Sequence, residues 1–171
     1  PFPHPSLFRS QRIELLERLY LAENIISKEH VHSTRIITLE SIRADSDLAM
    51  AFGQRPGARL FHSIIVHYEA ETPPQVEESF VSPHFAPDYL DQDFTLTHPH
   101  RHLSSIAHPE EIEHVVFAVT PSLDICTLLD LDEPEACLQL MRRPWVDGRV
   151  VMKGVFTYSG SRYSLVGRYR P

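Results

Sequence analysis

Three histidines and an arginine fall within five residues at His98-Pro99-His100-Arg101-His102. Proline suits the first position of a helix, so the run predicts a helix starting at Pro99 with His98 at its N-cap. The free N–H groups of such a first turn, and the helix dipole, favour a carboxylate or a phosphate. His98 and His102, four residues apart, could share a helix face and also bind metal. No third ligand stands near them in sequence, so no metal site is assigned; a polar surface turn is the plain alternative. His62 and His67 are separated by an odd number of residues, so in a strand they face opposite sides and only one can enter a pocket. The same parity splits Glu77 from Glu78 and Arg142 from Arg143. An inward carboxylate could accept hydrogen bonds from a ligand N–H or orient a histidine. An inward guanidinium could clamp a carboxylate, although solvated strand charges would account for all of these residues. Trp145 reads as packing rather than a ligand platform.

These groups need a scaffold. Residues 1–9 contain three prolines and no periodicity, and read as an interdomain linker. Residues 10–171 read as one domain. Apolar residues at spacings of three and four predict a helix over 10–28. Strands are predicted at 33–42, 60–69, 75–81, 112–119, 136–146, 149–158 and 161–169, with short helices at 46–52, 86–90, from 99, and at 122–129. The turn 70–74 and the dipeptide Asp147-Gly148 join neighbouring strands as hairpins. Strands paired as hairpins with short helices between them predict an α+β fold, an antiparallel sheet flanked by short helices.

Composition narrows the function. The net charge is −7, whereas a surface that grips a phosphate backbone is normally basic. No apolar run reaches the length of about 18 residues needed to span a bilayer, and Pro1–Pro5 lacks a signal-peptide pattern, so a cytoplasmic location is expected. Cys126 and Cys137 fit no metal or redox spacing and read as small buried hydrophobes. The nucleophile-elbow, Walker, zincin and dinucleotide-binding motifs are all missing, so neither an enzyme nor a cofactor is expected.

The C-terminal stretch 148–169 reads as β-strand, Ser159-Gly160-Ser161 turn, β-strand, with Gly160 free to take a positive φ. It carries a resemblance together with Phe61–Tyr68, Val76–Pro83, Ala86–Phe94, Glu111–Val115 and Gly160–Arg168, which occur in the same order. The chain resembles the UTRA ligand-sensing domain of GntR-type transcription regulators, in the HutC subfamily. The resemblance implies a chorismate-lyase-like fold and a homodimer. It also implies a winged helix-turn-helix domain upstream, absent from this chain, as the sole contact with DNA. The implied effector is urocanate or a related small anion. The resemblance implies effector-binding roles for His67, Glu77, His98 and Tyr158; His102, where the family's histidine repressors are expected to carry a tyrosine, and Arg142, the candidate carboxylate clamp, complete the expected effector-binding set. Met152 falls where sugar-phosphate-sensing relatives place a glutamate, which argues against a sugar effector. The alternatives are a lyase on the same fold, using Arg142 with Glu77, and a dimerisation module with a filled, ligand-free sheet face.

Overall fold

Two-residue alternation on one sheet sets the architecture. The computed structural model describes residues 11–14 and 32–166. In chain order the strands are β1 (Gln11–Glu14), β2 (His32–Arg43), β3 (Arg59–Glu69), β4 (Thr72–Val81), β5 (Glu111–Val119), β6 (Cys137–Val146), β7 (Arg149–Val150), β8 (Met152–Ser159) and β9 (Tyr163–Val166). The helices are α1 (Ser46–Ala51), α2 (Pro99–Ile106) and α3 (Leu123–Leu128), with a 3-10 turn at Tyr89–Asp91. Seven strands form an antiparallel sheet in the order β2-β3-β4-β8-β6-β5, with β7 paired to β6. The predicted α+β class and every predicted strand from 33 to 158 are present, with ends shifted by a few residues.

Local chemistry explains most of the boundaries. The Asp45 side chain accepts from Leu48 N–H and starts α1; Ser122 caps α3 in the same way through Ile125 N–H. Asp147 and Gly148 both have positive φ, the backbone of a two-residue hairpin turn matched to strand twist. The β3–β4 turn is tighter than predicted, because Glu69 pairs directly with Thr72. Pro73 and Pro74 fit within β4 because its pairing with β8 begins only at Gln75.

The two faces of the sheet have different covers. On one, Phe61, Ile65, Val81, Leu140, Met152, Phe156 and Tyr158 pack under Ala86, Tyr89, Phe94 and Leu103 from the 3-10 turn and α2. On the other, Val66, Val76 and Cys137 pack beneath Leu129 at the end of α3. Both cysteines are buried and free.

Three predictions from sequence fail. Gln11–Glu14 is not helical: it pairs in parallel with Tyr163–Val166, a long-range contact that overrides a local periodicity. The rest of the predicted helix, and the linker, lie outside the described residues. For the same reason β9 does not join the main sheet; it makes a separate two-stranded sheet with β1. Gly160 is not among the glycines with positive φ. Its N–H donates to Ala136 O at 3.2 Å, and a Cβ at that position would run into the Ala136 backbone carbonyl. The glycine is required for close approach. Gly160→Ala should therefore lower the unfolding free energy by about 1–3 kcal/mol, measured by urea denaturation; an unchanged midpoint would refute the clash.

On the α3 face, His62 lies 2.9 Å from Glu78 and 3.5 Å from Glu40 and stacks on Phe80 at 4.7 Å. The Glu78 hydrogen bond raises its pKa above 6.5 against the opposing effect of burial, and Glu40 adds to the rise. A raised imidazole pKa contributes stability that is fully present below the unfolded value and fades as pH rises through the folded one. His62→Gln should cost more stability near about pH 5 than near about pH 9. Denaturation at both pH values tests the sign, and a pH-independent cost would overturn it.

Candidate functional site

The face beneath α2 carries a polar stripe among its apolar residues. Strand parity turns Ser63 and His67 of β3, Glu77 and Ser79 of β4, Tyr158 of β8 and Arg142 of β6 toward it, and all are buried. His67 Nε2 and Glu77 Oε2 are 2.7 Å apart, and Ser79 Oγ donates to Glu77 Oε1 at 2.9 Å. Both Glu77 oxygens therefore have partners. This carboxylate orients His67 and fixes the proton on Nε2, leaving Nδ1 to face outward. His32 Nε2, on β2, lies 3.2 Å from that Nδ1.

His98 completes the imidazole group from above. It is the N-cap of α2, with Pro99 at the first helical position, and makes no side-chain capping bond. Its ring centroid lies 4.4 Å from that of His32 and 6.2 Å from that of His67. Burial, with help from His67 and His98, pushes His32 down to about 3. Burial also lowers His98, again with His67 contributing. Two of the clustered imidazoles are thus neutral at pH 7.

Beyond them lies a cationic end. Arg142 pairs in register with His114 across β5–β6. Burial first, then Arg142, holds His100 at about 3 and depresses His114. Arg142 is the buried positive charge of this region, and the exposed Arg101 acts on His98 and His100 from α2. Tyr158 lies in the row of His67, one strand beyond Gln75; burial raises its pKa, Glu77 adds to the rise and Arg142 opposes it.

Five of the six residues expected at the site share this face, namely His67, Glu77, His98, Arg142 and Tyr158. His102 does not join the imidazole cluster. It turns toward the 3-10 turn, with Nε2 3.2 Å from Asp88 Oδ1 and its ring 6.3 Å from Tyr89. Its side chain fastens α2 to that turn, so the expected shared face with His98 fails. Arg143 points the other way, to Glu113 at 2.5 Å, and stacks on Trp145 at 5.3 Å. His32 was missed because the predicted strand began one residue too late, at 33. A cleft of about 510 Å³ bounded by Asp132, Glu133, Glu135 and Arg162 shares no residue with the cluster.

The Tyr158 hydroxyl accepts from Gln75 Nε2 at 2.8 Å. Tyr158→Phe would strand that buried donor, at a cost of about 1–3 kcal/mol. Chemical denaturation checks this, and a neutral substitution would mean that the amide finds another acceptor.

The covered face of the antiparallel sheet buries histidines, carboxylates and an arginine, groups suited to holding a small polar ligand. The chain belongs to the UTRA domain family, whose model matches residues 27–164. It is 41% identical over 155 residues to the histidine utilization repressor of Klebsiella aerogenes, covering 91% of this chain and 64% of that protein. The Pseudomonas putida repressor of the same name is 40% identical over 158 residues, covering 92% and 64%. The chain thus spans less than two thirds of these relatives. The crystal structure of the C-terminal domain of histidine utilization repressor from Pseudomonas syringae pv. tomato matches with a TM-score of 0.78 at 42% identity, covering 82% of this chain and 100% of that one. The effector domain of PhnF from Mycobacterium smegmatis matches at 0.86 and 15% identity, covering 94% and 100%, a likeness of fold alone. These are names of repressors and regulator domains, so the chain is a regulatory domain rather than an enzyme. No helix among the described residues is long and apolar enough to cross a membrane.

Proposed function

We propose that this chain is the effector-binding and dimerising part of a cytoplasmic, DNA-binding repressor of histidine utilization, and that its effector is urocanate or a closely related small anion. The observation that carries the reading is the pairing of one buried guanidinium with neutral imidazoles on a single sheet face, in a domain about 40% identical to named histidine utilization repressors. Urocanate is flat, with a carboxylate at one end and an imidazole at the other. Arg142 and the first-turn N–H groups of α2 supply donors for the carboxylate. His67, oriented by Glu77, and His98 can exchange hydrogen bonds with the ring nitrogens. Tyr158, in the row of His67, lines the ring end.

A winged helix-turn-helix domain preceding these residues would make the DNA contacts, in keeping with the net charge of −7 here. The homodimer is supported by the exposed Ile112, Val116 and Phe117 on the edge strand β5. Regulation would follow by population shift: the effector binds one arrangement of the dimer better and so re-spaces the DNA-binding heads.

Calorimetry and thermal shift test the effector, with urocanate beside histidine, formiminoglutamate and glucosamine 6-phosphate. Urocanate should bind saturably and stabilise the domain by about 2.7 kcal/mol at a hundredfold excess over Kd. His98→Ala should weaken binding at least about tenfold, the loss of a single good hydrogen bond. No heat and no thermal shift with millimolar urocanate would sink the inducer assignment.

A further inference from the structure

The sequence offers no third ligand near His98, but the fold supplies two. His32 from β2, His67 from β3 and His98 from the start of α2 each bring a ring nitrogen to one point, all within 4.8 Å of one another. We propose that these three histidines form a binding site for a divalent late transition ion of the Zn²⁺ class, with the fourth position open.

Three observations carry this. The separation of His32 Nε2 and His67 Nδ1, 3.2 Å, is close to the edge of a tetrahedron with metal–nitrogen bonds of about 2.0–2.1 Å, which is about 3.3 Å. The ligating nitrogen of His67 is held by its other nitrogen, 2.7 Å from Glu77. That carboxylate–histidine arrangement fixes the tautomer and raises ligand basicity at zinc sites. His98 Nδ1 is buried and has no hydrogen-bond partner among the described residues, an omission that buried polar atoms rarely tolerate.

Loading would replace the His32–His67 hydrogen bond. The proton on His32 Nε2 moves to Nδ1, and both lone pairs turn to the ion, with no net proton release. The all-imidazole donor set suits Zn²⁺, Cu²⁺, Ni²⁺ or Co²⁺ and disfavours Mg²⁺ and Ca²⁺, which prefer oxygen.

The site shares His67, His98 and Glu77 with the effector reading, and the experiment separates the two. Untagged protein is stripped with chelator and titrated with Zn²⁺; Co²⁺ loading is followed by its visible absorption. One equivalent of Zn²⁺ should bind, with the intense absorption of tetrahedral Co²⁺. His32→Ala and His98→Ala, both at half-buried positions, should each weaken binding at least about tenfold, and Glu77→Gln by about 10–100-fold. Circular dichroism confirms that each variant is folded, and Arg143→Ala, outside the cluster, should bind as the parent does. Binding by the parent no tighter than by the folded His32→Ala and His98→Ala proteins would overturn the site. Urocanate titrated into the stripped protein reads the effector assignment alone, so either can fall without the other.

Discussion

A carboxylate and an imidazole share a hydrogen bond on a sheet face closed to water, and much of the domain exists to keep that bond possible. Burying Glu77 is costly unless its oxygens are matched. The match comes from His67 on the neighbouring strand and Ser79 two residues along. Both depend on the β3–β4 register. A one-residue slip of β4 would bring Glu78 inward and part Glu77 from His67. The tight Ala70-Glu71 turn holds that register at one end, and pairing of β4 with β8 holds it from the other side.

The roof over this bond is made of short pieces with exact partners. The Tyr89 hydroxyl meets Ser63 Oγ at 2.8 Å, and Thr34 Oγ1 donates to the Phe94 carbonyl at 2.7 Å. His102 then ties α2 to Asp88 beside Tyr89. With the roof fixed, His98 is delivered over β2 and β3 although it caps nothing. Burial keeps His32, His98, His100 and His114 uncharged. The carboxylates of Glu69 and Glu77 and the guanidinium of Arg142 are the buried charged groups left to set the polarity of the interior.

What could be read from the sequence was whatever depends on parity and local chemistry. The odd spacing of His62 and His67 separated the two faces. Pro99 placed His98 at a helix start, and Asp147-Gly148 marked a hairpin. The resemblance picked His67 and Glu77 as the inward members of their pairs. What could not be read was proximity created by pairing between distant segments. His32 reaches His67 only because β2 extends one residue past its β-branched core and aligns with the end of β3. His102 looked equivalent to His98 on a helix template, yet α2 is docked by that side chain and cannot present it elsewhere. Gly160 looked like a conformational glycine and is a steric one, since the Ala136 carbonyl that crowds it belongs to another strand's approach.

The pairing of β1 with β9 bears on the order of events during synthesis. Gln11–Glu14 is among the first described segments to leave the ribosome, and its partner Tyr163–Val166 is the last. The early strand must wait, unpaired, while the antiparallel sheet assembles from its hairpins. Tyr163 also donates to Glu69, at the end of the strand that carries His67. The last described strand thus fastens both the first described strand and one flank of the imidazole cluster. Translation that stops short of β9 would leave a nearly complete sheet whose sensing face lacks its last tie.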